Sequence, residues 1–344
     1  MQITREAAIS IRPIQKPVVV ITGASAGVGR AVALQFARHG WRVALMARGK
    51  PRLEAVAAEV RAAGAETLAL PTDVANAAAV EAAASIVLET WGKIDVWTNN
   101  AMVTVFGPAE TIVPDEFKRV TEVTYLGQVH GTQTALRHMR QAGGGTIVCI
   151  GSALTYRSIP LQSAYCGAKA AIRGFVDALR CELLHERSPI KLTMIHLPAV
   201  NTEQFSWARC KMDREPRPVA PVFTPEAVAD EIYRGALNAP RELWVGRPTV
   251  QTILAGLILP GLTDWLAART AFDGQLDTKL KQSRRPDNLF DAVDPSAVSG
   301  GRFGDEASTA VGSVSGSKAR AALAAVGIGT MLAAVLASRR LKIR

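Results

Sequence analysis

One stretch limits the folds open to this chain more than any other. The apolar, β-rich run from Pro17 to Ile21 passes at once into Thr22-Gly23-Ala24-Ser25-Ala26-Gly27-Val28-Gly29-Arg30, and a helical pattern follows to His39. A strand, a glycine turn and a helix in that order make a cradle for a dinucleotide pyrophosphate. Gly23 allows the tight turn, Gly27 removes a side chain where the backbone nears the phosphates, and Gly29 lets helix and strand pack closely. The first N–H groups of the helix then point at the phosphates.

The chain continues in the same alternation. Strand patterns at 41–47, 67–70, 94–98, 146–150, 191–197 and 242–246 are separated by helical patterns at 51–63, 76–91, 115–139, 163–189 and 225–237. Such an order predicts an α/β architecture: a doubly wound parallel sheet of seven strands (a Rossmann fold) with helices on both faces, in a single domain with a C-terminal helical extension. The divisions expected are an N-terminal arm (1–16), the main domain (17–248), an apolar extension (249–282), a Gly/Ser/Pro-rich flexible linker (283–317) and a final apolar helix with a basic tail (318–344).

Chemistry concentrates between Ser152 and Lys169. Tyr165 and Lys169 are four residues apart on a predicted helix, so both side chains lie on one face. A phenol with its ordinary pKa of about 10 is a poor proton donor at neutral pH, but a nearby ammonium favours the phenolate and lowers that value. Ser152 follows the run Thr146–Ile150 and sits at a strand's exit, where its hydroxyl can bond a substrate oxygen.

Together with the TGxxxGxG turn, this set closely resembles the short-chain dehydrogenase/reductase family with its SxnYxxxK active site. The resemblance covers about Pro17 to Pro248, and it implies that Ser152 orients a substrate carbonyl, Tyr165 transfers the proton, and Lys169 lowers the tyrosine pKa and holds the nicotinamide ribose. It places Ser25, Ala26 and Val28 with the three glycines at the cofactor, Asp73 and Val74 against the adenine, Asn100 and Ala101 beside the ribose, and Val200 and Thr202 at the nicotinamide amide and pyrophosphate. A plain loop acid explains Asp73 nearly as well, and a turn-forming asparagine explains Asn100. Two departures stand out. Met102 occupies the usual glycine position of NNAG, and Thr124 the usual asparagine position, where relatives hold a water that links the lysine to solvent. A threonine hydroxyl can bond a water or the preceding helical turn.

The second strand ends at Arg48, where NAD-binding sheets commonly carry an acid for the ribose 2′-hydroxyl. A guanidinium suits a 2′-phosphate instead. NADP(H) is therefore expected over NAD(H), the alternative being that Arg48 caps a loop beside Lys50 and Arg52. The resemblance also implies a homodimer or tetramer through the helix after Ser163, whose outward side carries Gly167, Ala171 and Gly174; a crowded monomer interior is the alternative.

Net charge is +10 over 344 residues, but six unopposed basic residues fall in the last 27, leaving +4 for the rest. That is a weak case for nucleic acid. The four cysteines form no CxxC pair and the five histidines no HExxH, so no metal is expected and a reducing, cytoplasmic setting fits. The first sixteen residues lack the apolar core of a signal peptide.

The mixed stretch Glu203–Phe223 reads as a mobile substrate lid. The apolar run Val250–Leu259 fits a buried helix, a dimer contact or a roof over an apolar pocket. Residues 321–337 carry no charge, and as a helix they would reach about 25 Å, the short limit for crossing a bilayer. Membrane association through that segment stands beside docking on the domain or a partner. The reading is an NADP(H)-dependent oxidoreductase that interconverts a carbonyl and a secondary alcohol on a small apolar molecule. A non-catalytic dinucleotide-binding regulatory or scaffold protein of the same fold is the rival.

Overall fold

The computed structural model describes residues 15–282, 285, 287–293 and 300–325. The chain begins β1 (Val18–Thr22), α1 (Gly27–Arg38), β2 (Arg42–Ala47), α2 (Lys50–Ala62), β3 (Thr67–Pro71), α3 (Ala77–Trp91), β4 (Val96–Asn99) and the short β5 (Val105–Phe106). Next come α4 (Pro114–Val120), a π-helical turn over Thr121–Leu126, α5 (Gly127–Ala142), β6 (Gly145–Ser152), α6 (Ser163–His185) and β7 (Ile190–Leu197). A more irregular part holds β8 (Ala199–Val200), α7 (Gln204–Trp207), β9 (Arg209–Cys210), β10 (Arg214–Pro216) and β11 (Val222–Phe223), then α8 (Pro225–Asn238) and β12 (Glu242–Val245). The extension adds α9 (Arg247–Ile258), α10 (Pro260–Gly274), β13 (Leu276–Leu280), β14 (Ala307–Ser308) and β15 (Ser313–Ser315).

The main sheet runs β3-β2-β1-β4-β6-β7-β12-β15, and its first seven strands are parallel. Because helices cover both faces, a central strand is apolar throughout rather than alternating. In β1, Val18 and Val20 join the core shared with α3, α5 and α6, while Val19 and Ile21 join the one shared with α1, α2 and α8. All five β1 residues are buried. Strand order reverses between β1 and β4, which opens a crevice at the carboxyl ends of those strands.

Two expectations are corrected here. The sheet has eight strands rather than seven: β15 adds antiparallel to the β12 edge, with Trp244 opposite Val314. It comes from the stretch predicted to be a flexible linker, of which residues 300–317 are woven into the domain. β14 pairs with β11, and Asn201 receives the Phe303 N–H at 3.0 Å on Oδ1. Ladder bonds use main-chain groups, so a Gly/Ser-rich segment can satisfy an open edge as well as any other. The lid is pinned similarly, with β10 pairing with β13.

Residues 316–325 are helical, and Ala319, Ala322 and Leu323 line a small apolar pocket with Val250 and Leu254 of α9. The rest of the predicted apolar segment, 326–337, lies outside the described residues, as does most of the N-terminal arm. Among the described residues no helix is long and apolar enough to cross a membrane.

Candidate active site

The crevice is a cavity of about 440 Å³. Sixteen of the seventeen residues singled out from the sequence line it: Gly23, Ser25, Ala26, Gly27, Val28 and Gly29 from the turn, Arg48 after β2, Asp73 and Val74 after β3, Asn100 and Ala101 after β4, Ser152, Tyr165 and Lys169, and Val200 and Thr202 after β7. Thr124 does not.

The turn is built to approach closely. Gly23 has φ +67°, and a Cβ on Gly29 would stand 2.2 Å from the Gly23 carbonyl oxygen, so neither position admits a side chain without a shift. Asn100 pins the turn to β4: its Nδ2 donates to the carbonyls of Thr22 and Gly23 at 3.0 and 3.3 Å, and its main-chain N–H to Thr22 Oγ1 at 2.9 Å. Ala26, at the N-cap of α1, supplies no capping side chain, and no acid stands in the first turn. The opening amides of the helix therefore lack a side-chain acceptor, as a phosphate site requires.

Ser152 ends β6, and its Oγ accepts the Leu154 N–H at 3.1 Å. Tyr165 and Lys169 occupy successive turns of α6, both buried. The Ser152 and Tyr165 side chains both line the cavity, near enough for the serine hydroxyl to favour the phenolate. Lys169 Nζ donates to the Ile150 carbonyl at 2.7 Å and stands 5.5 Å from the centre of the Tyr165 ring. Burial pushes the Lys169 amine down to about 8. Burial also raises the Tyr165 phenol above its ordinary value, helped by Cys166, and the nearby Ser152 hydroxyl opposes this only in part. The expectation that Lys169 lowers the tyrosine pKa is thus not met in this state of the protein. Loss of water around a phenolate outweighs an ammonium aimed at a carbonyl instead.

Thr124 is a second correction. The π-helical turn puts the irregularity implied by the resemblance in place, but the Thr124 hydroxyl is fully buried and closes on Val103. It donates to the Val103 carbonyl at 2.8 Å and accepts its N–H at 3.1 Å. Its single proton is committed to the backbone, so it is not free to donate to a water. Met102 lines the cavity and lies outside the positive-φ region, so the missing glycine costs no backbone strain.

At the end of the cavity beside β2 and β3, Asp73 accepts the Ala75 N–H at 3.0 Å and pairs with Arg119. Arg48 donates to main-chain carbonyls of residues 288–290, and Asn288, Ala292 and Val293 form part of the cavity wall. Sequence reasoning missed this strap; the apolar Leu289, Phe290 and Val293 within a polar stretch were the available signal. At the other end, Met102, Phe106, Leu154, Ile159 and Phe205 make an apolar lining, and Thr249 and Thr252 bring α9 into the wall.

A polar cluster behind Ser152 was also unforeseen. His196, held neutral by burial that pushes its pKa down to about 4, donates from Nδ1 to the Ser152 carbonyl at 3.1 Å. Its neighbour Glu242 accepts from Tyr156, Trp244 and Arg320 at 2.7, 2.9 and 2.8 Å.

A model of the short chain dehydrogenase family matches residues 17–211. The chain belongs to the short-chain dehydrogenase family. It is 30% identical over 286 residues to YxnA, an uncharacterized oxidoreductase of Bacillus subtilis, covering 83% of this chain and 80% of that one. An alcohol dehydrogenase from the archaeon Thermococcus sibiricus, solved with 5-hydroxy-NADP, matches at TM-score 0.58 and 30% identity over 67% of this chain and 95% of its own. The 3-ketoacyl-(acyl-carrier-protein) reductase of Brucella melitensis, solved with NADH, matches at 0.57 and 28% over 64% and 90%. This short-chain dehydrogenase is an NAD(P)-dependent oxidoreductase, and the dinucleotide fits the uncapped α1 terminus and the glycine cradle.

Proposed function

We propose that this short-chain dehydrogenase interconverts a carbonyl and a secondary alcohol on a small apolar molecule, with NADP(H) as the preferred cofactor and Tyr165 as the proton donor and acceptor. The observation that carries the reading is that Ser152, Tyr165 and, one turn further on, Lys169 line the same cavity as the glycine turn. When bound, the dinucleotide supplies or accepts a hydride. Ser152 holds the substrate oxygen, and Tyr165 donates its proton to that oxygen as negative charge develops there. Lys169, protonated below about pH 8, stabilises the phenolate left behind. The apolar wall from Met102 to Phe205 excludes water from the reacting carbon.

The NADP(H) preference is supported by two guanidiniums at the adenosine end, Arg48 and Arg119, and by the absence of an acid where β2 ends. Association through α6 into a dimer or tetramer is supported by Gly167 and Gly174, where an added Cβ would meet nothing within 4 Å. Membrane association of a cytoplasmic enzyme is supported by half-exposed Leu257, Ile258, Leu259, Leu262 and Trp265 around the α9–α10 junction. Fractionation of the full chain against one ending at residue 325 tests that part, and equal partitioning would remove residues 326–344 from it.

The central test is turnover of NADPH and of NADH against a panel of apolar aldehydes and ketones. Oxidation of NADPH on at least one carbonyl, abolished by Tyr165→Phe, is expected; binding with no turnover on any carbonyl would return the chain to a non-catalytic role.

A further inference from the structure

Arg48, on which the choice of cofactor rests, is already engaged. Its Nη1 donates to the carbonyl oxygens of Leu289 and Phe290 at 3.3 and 2.7 Å, and its Nη2 to that of Asn288. Arg119 grips the same strap, with Nε donating to the Leu289 carbonyl at 3.1 Å while its Nη2 pairs with Asp73. Leu289 is fully buried in the apolar core that includes Val74. Ala292 lies 3.1 Å from the point a Cβ on Gly49 would occupy. The strap therefore stands on the groups that the dinucleotide reading above assigns to the adenosine, and the inference rests on that reading.

We infer that residues 288–290 are an internal competitor for the adenosine end of the cofactor site, and that they set how tightly a dinucleotide must bind to be accepted. The strap's carbonyls occupy both terminal nitrogens of Arg48, so they and an incoming 2′-phosphate compete for the same N–H groups. Charge-assisted bonds to phosphate are roughly twice as strong as those to a neutral acceptor, so NADP(H) repays the displacement. A 2′-hydroxyl does not. The strap weakens both dinucleotides by one common factor, the fraction of time the site stands open, and only the cofactor with an extra bond to Arg48 overcomes it.

The strap also reaches the substrate side. The Asn288 N–H donates to the Trp207 carbonyl at 2.9 Å, its Nδ2 to Gln204 Oε1 at 3.2 Å, and Asp287 accepts from Arg209 at 3.0 and 3.2 Å. Displacing it frees α7, so cofactor entry loosens the lid before substrate enters.

Two measurements test this on the full chain. The first is hydrogen exchange of the wild-type protein with and without saturating NADPH. The amides of Asn288 and Leu289, bonded to Trp207 and Asp287, should exchange faster with NADPH. The second is fluorescence titration of Leu289→Ala with NADPH and NADH. Both should bind roughly tenfold tighter or more, by the same factor, because the strap loses its apolar anchor. Slower exchange with cofactor, or weaker binding by the variant, would make the strap a clamp over bound cofactor and overturn the inference. Unchanged exchange and affinity would overturn it too. Failure of both proteins to bind either dinucleotide would instead overturn the cofactor reading itself. Should Leu289→Ala not fold, the wild-type exchange decides.

Discussion

Lys169 Nζ and the carbonyl oxygen of Ile150 lie 2.7 Å apart inside the protein, and the amine has no exposure to speak of. The same carbonyl accepts from Gln128 Nε2 at 3.0 Å. The lysine is thus held by the end of β6, two residues before Ser152, and it is the strand that fixes the distance between the amine and Ser152.

That arrangement has a stability cost with a definite pH dependence. The Lys169 pKa, pushed down to about 8, lies below the unfolded value of about 10.5. Between those two values the unfolded chain binds the extra proton, so stability rises with pH across that window. Lys169→Met leaves Ile150 its bond from Gln128. It should make the protein more stable near neutral pH by up to about 3 kcal/mol, with the advantage shrinking from about pH 8 to about pH 10.5. Urea unfolding of both proteins across that range checks it, and an advantage that does not vary with pH would count against a charged, buried lysine.

Tyr165→Phe removes the transferable proton and little volume. Turnover should fall by about two to four orders of magnitude with dinucleotide affinity unchanged within a few-fold. Steady-state kinetics paired with NADPH titration separates the two quantities. A variant that keeps its turnover would place the proton donor elsewhere.

Thr124→Val should act on stability rather than on the proton path. It strands both the N–H and the carbonyl of Val103 in a buried setting, at a cost of about 2 kcal/mol or more. The pH profile of turnover should keep its shape. A profile that shifts while the melting temperature stays put would restore Thr124 to the relay.

Truncation separates the two parts of the C-terminal third. A chain ending at residue 299 loses β14, β15 and the Arg320 bond to Glu242, and with them the cover on the β12 edge. It should melt several degrees lower and aggregate more readily. One ending at residue 325 keeps all of these and should melt with the full chain. Thermal scans of the three proteins decide between this and a dispensable linker.

The glycine turn and the Ser152, Tyr165, Lys169 set were legible in the sequence because each depends on near neighbours: a turn on its glycines, a helix face on a spacing of four. Sequence order alone likewise indicated the seven parallel strands, since alternating patterns leave few ways to bury both faces. What escaped depended on partners far along the chain. Arg48 finds its acceptors about 240 residues away, and Thr124 finds Val103 across a loop.

By itself, then, the sequence determined where the glycine turn and the helix face carrying Tyr165 and Lys169 would fall, because those are matters of local geometry. Only the tertiary structure decided the burial of Tyr165 and Lys169, the company kept by Arg48, and the conversion of a Gly/Ser-rich stretch into an eighth strand. Desolvation and edge pairing depend on what surrounds a group in space, and no local pattern carries that information.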